Sequence, residues 1–346
     1  EEALAFGAEH GYPLFVKSAA GGGGRGMRVV EHDDELREAF ERAASEAQQS
    51  FGKAEIYLEK YLQDPKHVEI QILADEQGEV MHLFERDSSI QRRHQKIIEF
   101  APAVSVSVEM RRRIQDAAVK LMQSVDYQSA GTVEFLVDGD DFYFIEVNPR
   151  VQVEHTVTEE ITDVDIVKSQ LLIAQGYGLH EAPLNIPAQD KLLAVGVAIQ
   201  SRITTEDPAN NFMPDTGKID WYRSPGGTGI RLDAGNVYAG ATVTPFFDSL
   251  LVKVVAHGTD FTEAVDKMQR ALNEFAIRGV KTNIPFLKNV YAHPTFRAAD
   301  APTTFVDKHP ELFEIAPEKE PDRKLLQIFW ETTNRLAKIT CKEINN

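Results

Sequence analysis

The sequence predicts an α+β chain: two small α/β units followed by a mainly-β region. Three observations predict it. Apolar residues alternate with period 2 in some segments and follow a helical stripe in others, and the two kinds interleave to about residue 180. After the proline-bearing stretch Ala182-Pro183-Leu184-Asn185-Ile186-Pro187 the pattern turns mostly to strand. The 346 residues, 42% apolar and 26% charged, suffice for two domains with real cores. The expected divisions are 1–65, 66–186, 187–300 and a terminal linker with one helix, 301–346.

Along the chain, Pro13-Leu14-Phe15-Val16 and Met27-Arg28-Val29-Val30 read as strands around a glycine loop. Leu36, Phe40, Ala43, Ala44 and Ala47 form a helical stripe within Asp33 to Gln49, and Ile56 to Lys60 is a short strand. His67 to Leu73 and Val80 to Phe84 alternate as strands. Met110 to Val125 is a helix. Thr132 to Val137 and Phe142 to Val147 form a hairpin around Asp138-Gly139-Asp140-Asp141. Asp165 to Gln175 is a helix ending at Gly176. Leu192 to Arg202 and Leu250 to Val255 read as buried strands, and Phe261 to Phe275 as a closing helix. Glu206-Asp207-Pro208, Pro225-Gly226-Gly227 and Asp233-Ala234-Gly235 read as turns. Leu325 to Leu336 is an amphipathic terminal segment.

Composition excludes several classes. No apolar run reaches membrane-spanning length, and the first ten residues carry no secretory signal. The net charge of −17 disfavours nucleic-acid and anionic-membrane partners. One cysteine, Cys341, rules out an internal disulfide framework and suits a reducing, cytoplasmic setting. Cations for anion chemistry must therefore be concentrated locally. Arg92-Arg93-His94-Gln95-Lys96 is one such island.

The glycine run is the other. Lys17 precedes Gly21-Gly22-Gly23-Gly24, and Arg25 and Arg28 follow. Bare backbone N–H groups flanked by cations suit polyphosphate. The spacing is not that of a P-loop or a dinucleotide fingerprint, so a hairpin lid over phosphates fits better than either. A flexible surface loop is the plainer alternative.

Two glutamates read as metal ligands. Glu134 and Glu146 lie on opposite strands of a tight hairpin, and Asn148 shares the face of Glu146. Two carboxylates and an amide oxygen are hard donors suited to Mg²⁺ shared with phosphates; solvated strand-edge glutamates are the alternative. Next, Arg150, Gln152 and Glu154 alternate with Val151 and Val153, as along a strand. An Arg fork, an amide and a carboxylate side by side can hold a small oxyanion and deprotonate it. Glu85 to Lys96 reads as a dense polar run after a strand. Glu59-Lys60-Tyr61-Leu62, at a strand end, has the pattern of a segment that binds adenine.

Together these motifs resemble the biotin carboxylase domain of biotin-dependent carboxylases, within the ATP-grasp superfamily. The residues that carry the resemblance are Lys17 with the glycine run, Glu59 to Leu62, His67-Val68-Glu69, Glu85-Arg86-Asp87, Gln91 to Lys96, and Glu146 with Asn148 to His155. Ser201-Arg202-Ile203, Phe247-Asp248-Ser249-Leu250 and Gly279 to Asn283 extend it to about residue 315. The run His155-Thr156-Val157-Thr158 looks most like the pyruvate carboxylase branch, because acyl-CoA carboxylases usually have Pro where Thr156 stands.

The resemblance implies an ATP-grasp fold, two α/β subdomains clasping nucleotide, followed by a mainly-β C-terminal domain. It implies that Lys17, Gly22, Gly23, Gly24, Met27, Glu59, Lys60, Leu62, His67, Gln91 and His94 bind ATP. Glu134, Glu146 and Asn148 would bind Mg²⁺ or Mn²⁺. Lys96, Arg150, Gln152 and the Val153 amide would hold bicarbonate, Glu154 would be the base, and Arg202 would stabilise the biotin enolate. The implied reaction is MgATP-dependent carboxylation of biotin through carboxyphosphate, with biotin as substrate on a carrier domain. The carrier and carboxyltransferase domains are absent from this chain, as is the Rossmann-like domain expected before Glu1, so the sequence reads as a fragment of a homo-oligomeric enzyme. The biotin carboxylase subunit of an acyl-CoA carboxylase and a non-catalytic nucleotide-binding or assembly fragment are the other readings. Ser88 replaces a usual Cys.

Overall fold

In the computed structural model, the described residues are 2–19, 28–52, 55–235 and 237–315. Gly22, Gly23, Gly24 and Met27 of the glycine run, the terminal segment Leu325 to Leu336 and Cys341 lie outside them.

The N-terminal part is a three-stranded antiparallel sheet with β1 (Leu14–Ser18) between β2 (Arg28–Val30) and β3 (Ile56–Lys60). Leu14 pairs with Val30, so the strands flanking the glycine run do form a hairpin pair. Helices α1 (Glu2–His10) and α2 (Asp33–Phe51) accompany the sheet. Val16, Val30, Leu36 and Ala43 form its core, the last two from the predicted helical stripe. Gly52 ends α2 at φ +70°, donating its N–H to the Gln48 carbonyl, a left-handed cap that glycine adopts without steric cost.

The larger sheet has eight strands, every adjacent pair antiparallel. They are β4 (Lys66–Ala74), β5 (Val80–Arg92), β6 (Gln95–Ala101), β7 (Ser129–Asp138), β8 (Asp141–Asn148), β9 (Val197–Thr204), β10 (Ile230–Ala234) and β11 (Leu250–Gly258), in the order β10-β11-β9-β6-β5-β4-β7-β8. Strands from both sides of residue 187 share this sheet, Ile98 of β6 pairing with Ser201 of β9.

Alternation along β4 assigns its two faces. Val68, Ile70 and Ile72 pack with Met110, Ile114, Ala118 and Met122 of α3 (Val108–Gln123). Those helix residues recur every fourth position, one stripe on a 3.6-residue helix. The Ser107 hydroxyl caps α3 by accepting from the Met110 N–H. On the opposite face Leu73 packs with α5 (Ile166–Ile173), while Val157 and Ile161 of α4 (His155–Thr162) pack on Ala101, Ala198 and Val255. Glu69 and Gln71 have the parity of Leu73, so β4 turns its polar residues to the α4 side. Helix α6 (Phe261–Glu274) buries Ala264, Val265, Met268, Ala271 and Leu272, and α7 (Ile284–Ala292) follows. Among the described residues no helix is long and apolar enough to cross a membrane.

Four expectations are corrected. The polar run Glu85 to Lys96 is no loop after a strand ending at Phe84. β5 continues to Arg92, and Glu85, Arg86, Asp87, Ser88 and Ser89 are all buried, because each finds a polar partner: Glu85 takes Arg111 of α3, Arg86 and Ser88 take Glu69 of β4, Asp87 takes Ser105, and Ser89 accepts from the His67 N–H. The alternation over Arg150 to Glu154 is no strand. β8 stops at Asn148 and helix α4 begins at His155, leaving Gln152 and Glu154 buried but Arg150 exposed. The strand expected from Leu192 begins only at Val197, with Leu193 and Val195 facing solvent. Asp233 and Ala234 belong to β10 rather than a turn. Periodicity also does not predict α1 or α4, two short helices.

Candidate functional site

A single cross-strand row carries the charges. Arg86 of β5 pairs with Glu69 of β4, Glu69 with Glu134 of β7, and Glu134 with Glu146 of β8. Adjacent carboxylates in such a row repel, so cations must sit among them. Arg86 is one and is 0% exposed. Its Nε donates to Glu69 Oε1 at 2.8 Å, Nη1 to Gln71 Oε1 and Thr158 Oγ1 at 2.6 and 3.0 Å, and Nη2 to Thr132 Oγ1 and Gln152 Oε1, both at 3.2 Å. All five guanidinium N–H groups are thereby matched.

Lys96 is the second cation. Its ammonium donates to Glu69 Oε2 at 2.5 Å, Glu154 Oε1 at 2.8 Å and Glu134 Oε1 at 2.9 Å. Burial alone would lower the Lys96 pKa, but the three carboxylates overcome it and raise it. Burial likewise pushes the Glu69 carboxyl up, and Lys96 and Arg86 hold it well below the ordinary range instead.

His67 fixes the second oxygen of Glu134. Gln91 Nε2 donates to the Ser88 carbonyl at 2.8 Å, which sets the amide, and lies 2.6 Å from His67 Nδ1. Nδ1 therefore accepts, the ring proton sits on Nε2, and Nε2 donates to Glu134 Oε2 at 2.6 Å. Burial raises the Glu134 pKa, but the His67 hydrogen bond and Lys96 outweigh it and hold it down at about 2, against an ordinary 4.5. A depressed carboxyl stabilises the fold fully above its unfolded pKa and loses that contribution as pH falls toward the folded value. Urea unfolding of Glu134→Gln is therefore expected to show a shallower decline in stability between pH 4.5 and about pH 2 than the parent. Identical acid limbs would contradict this pairing.

Glu134 and Glu146 converge, as their hairpin positions predict. Asn148 Nδ2 donates to Glu134 Oε1 at 2.9 Å and to Glu146 Oε1 at 3.0 Å. Two carboxylate oxygens thus face one point, with Glu146 exposed and Glu134 buried. Glu134 Oε1 also accepts from Lys96 and Gln152, so a hard divalent cation shared with an outside ligand would fit here once the Asn148 amide turns its oxygen inward. Among the described residues two clusters of three His or acidic side chains have ligand atoms within 4.8 Å of one another, and hydrogen bonds hold those atoms in each. In His67-Glu69-Glu134, the Lys96 ammonium already bridges both acids. In His293-His309-Glu311, Thr295 N–H donates to His293 Nδ1 at 3.2 Å, placing the ring proton on Nε2 toward Glu311.

Glu154 lies at the head of α4, 2% exposed, with Lys96 on one oxygen and Arg202 Nη2 at 3.1 Å from the other. Arg202 in turn is gripped by Glu99, Nε at 2.7 Å and Nη2 at 2.5 Å from Oε1. Gln200 Nε2 donates to Glu99 Oε2 at 2.9 Å, and Thr156 Oγ1 donates to Gln200 Oε1 at 2.5 Å. Burial raises the Glu99 pKa, opposed by Arg202. Gln152 Nε2 donates to Glu134 Oε1 at 2.7 Å, and Lys253 Nζ donates to the Val153 carbonyl at 3.1 Å. Arg150 stands apart: among the described residues its guanidinium donates only to Asn148 Oδ1 and the Val151 carbonyl, at 3.3 and 3.2 Å.

On the small sheet, Lys17 pairs with Glu59, Leu62 is buried, and Lys60 is exposed. His94 is exposed at the β5–β6 tip. Sequence reasoning assigned no role to Arg86, Glu69, Glu99 or Gln200. Little in the sequence marks either Arg86 or Glu69, since Glu69 shares its strand face with the polar His67 and Gln71 and Arg86 lies in a polar run. No local pattern marks Glu99, a single acid after Ile97-Ile98.

The chain matches the family model of the carbamoyl-phosphate synthase L chain ATP-binding domain over residues 1–182, and that of the biotin carboxylase C-terminal domain over residues 200–308. It is similar to pyruvate carboxylase of Bacillus subtilis, 57% identical over 93% of this chain and 28% of that protein. It is also similar to pyruvate carboxylase of Staphylococcus aureus, 54% identical over 96% of this chain and 29% of that protein. It thus spans under a third of the length of these relatives. Among solved structures, the biotin carboxylase domain dimer of Hydrogenobacter thermophilus 2-oxoglutarate carboxylase, in complex with MgADP, ADP and bicarbonate, superposes with a TM-score of 0.84. That domain is 43% identical, and the match covers 91% of this chain and 68% of that one. Rhizobium etli pyruvate carboxylase gives a TM-score of 0.84 at 48% identity, covering 93% of this chain and 29% of that one. With ATP-grasp and C-terminal regions both matched, and the charged row lying on the sheet they share, the chain belongs to the biotin carboxylase family.

Proposed function

We propose that this chain carries out MgATP- and bicarbonate-dependent carboxylation of biotin, as the first half-reaction of a pyruvate carboxylase. The observation that carries the reading is Glu154, buried between the Lys96 ammonium and the Arg202 guanidinium. A carboxylate so placed can take a proton from bicarbonate while the two cations hold the charge that develops nearby.

The residue roles are those that membership of the family implies. Lys96, Gln152 and the Val153 amide would hold bicarbonate, with Arg150 as its fork. Glu134, Glu146 and Asn148 would hold Mg²⁺ or Mn²⁺, which when bound neutralises phosphate charge. Lys17, Gly22, Gly23, Gly24 and Met27 hold the phosphates of ATP. Glu59, Lys60 and Leu62 hold the base, and His67, Gln91 and His94 the ribose and phosphate side. Bicarbonate, deprotonated by Glu154, attacks the γ-phosphorus of ATP and ADP leaves; the carboxyphosphate breaks down to CO₂ and phosphate, and that phosphate takes the proton from biotin N1. Arg202 then stabilises the enolate that captures CO₂. Biotin arrives on a carrier domain, and a carboxyltransferase domain passes the carboxyl to pyruvate. The protein works as a cytoplasmic homo-oligomer.

The test is bicarbonate-dependent ATP cleavage, stimulated by free biotin, in the full-length protein. Arg202→Ala should lower the biotin-stimulated rate by about 10²–10³-fold, the usual cost of one preorganised charge-stabilising donor. An unchanged rate would sink the assignment. Labelled bicarbonate entering an acyl-CoA instead of pyruvate would overturn the choice of acceptor alone.

A further inference from the structure

The β5–β6 hairpin turns on two residues. Arg92 pairs with Gln95, so Arg93 and His94 form the loop. Both are left-handed, at φ +50° and +63°. A two-residue loop of this kind favours Asn-Gly, because a Cβ is disfavoured at positive φ. Arg-His at these positions must be held by something outside the hairpin.

The holder is Asn211. Its Oδ1 accepts from Arg92 Nη2 at 2.5 Å and from Arg93 Nη2 at 3.2 Å, and its carbonyl accepts from Arg92 Nη2 at 3.0 Å. Among the described residues it is the only hydrogen-bond partner of these two guanidinium groups. His94 has no hydrogen bond or ion pair there. The Arg92 guanidinium also lies 4.4 Å from the Phe212 ring centroid. Phe212 is buried against Phe286, centroids 5.1 Å apart, and its N–H donates to the Asp207 carbonyl at 2.9 Å. Asn211 itself sits at φ +55°, a conformation asparagine tolerates better than most residues. The clasp walls a cavity of about 30 Å³ lined by Arg92, Gln95, Lys96, Arg202 and Phe212, next to the charged row.

We infer that Asn211 is a positioning residue that locks the left-handed Arg93–His94 turn and so presents His94 to the nucleotide. The second half of the inference rests on the proposed function; the first does not. Charge-assisted hydrogen bonds from two guanidinium groups to one amide oxygen restrain the turn without touching substrate. Releasing them frees His94 from its presented position while leaving the base and its cations in place. Nucleotide affinity therefore suffers, and turnover at saturation does not.

The experiment compares Asn211→Gly, Asn211→Ala and Asn211→Asp in the full-length protein. Glycine keeps the positive φ but removes Oδ1, whereas aspartate keeps an acceptor. Asn211→Gly and Asn211→Ala are expected to raise the KM for MgATP about tenfold, with kcat within about twofold of the parent. Asn211→Asp should restore the parent KM. Hydrogen exchange of the peptide spanning residues 90–97 is read in parallel. It should accelerate in Asn211→Gly and not in Asn211→Asp. Parent-like exchange in Asn211→Gly overturns the clasp whatever the activity. Faster exchange with an unchanged KM overturns the link to nucleotide. A parent protein with no bicarbonate-dependent ATP cleavage overturns the proposed function, and the exchange result still decides the clasp.

Discussion

Arg86→Ala is expected to destabilise the fold by about 3–5 kcal/mol, the cost of breaking a buried ion pair from one side. Arg86 is wholly buried and meets five oxygen acceptors from β4, β7, α4 and the segment before α4. Its removal leaves Glu69 Oε1 with only the Ser88 hydroxyl, 2.9 Å away. It also leaves the oxygens of Gln71 and Gln152 without their guanidinium donors in a dry interior, where unmade hydrogen bonds are costly. Lysine cannot repair the site, because an ammonium offers three N–H groups from one nitrogen where the guanidinium offers five from three. Urea unfolding of the parent, Arg86→Ala and Arg86→Lys is the measurement. Losses below about 1 kcal/mol would mean that the row is held together otherwise.

Glu154→Gln is expected to lower bicarbonate-dependent biotin carboxylation by about 10²–10⁴-fold in the full-length protein, the range for loss of a general base. The substitution preserves shape, so packing at the head of α4 should survive. The chemistry should not. The carboxylate now accepts from Lys96 and Arg202 on separate oxygens. An amide can accept on only one side and turns N–H groups toward a cation on the other. Thermal unfolding within a few degrees of the parent would separate a chemical defect from a folding one. A parent-like rate would remove Glu154 from the role of base.

The two substitutions differ in how visible their residues are in the sequence. Glu154 stands in a motif after the metal-type residues Glu146 and Asn148, so its chemistry is readable from neighbours. Arg86 is equally prominent in sequence, but the polar run around it suggests a solvated loop. Only its cross-strand acceptors make a buried strand of that run. The alternation Arg150-Gln152-Glu154 misleads for the opposite reason. It has strand period, yet the backbone leaves the sheet at Asn148 and enters a helix at His155, so Arg150 parts from Gln152 and Glu154.

Local order was written in the chain. Period-2 and helical stripes located most strands and the long helices, and the Asp138–Asp141 turn joined the strands of Glu134 and Glu146 in one hairpin. The turn's own register would face Glu134 with Ile145, and a bulge between Glu134 and Phe135 brings Glu146 opposite instead. The glycine run, the paired glutamates and the basic island point to phosphate and metal chemistry from sequence alone. Tertiary structure decided what neutralises what. Lys96 meets Glu69, Glu134 and Glu154 from 27, 38 and 58 residues away, and Arg202 meets Glu99 across 103. Coulomb attraction in a dry interior acts over a few ångströms of space and is blind to sequence distance. Which carboxylate each cation would find therefore depended on the order of eight strands, and no local pattern encodes that order.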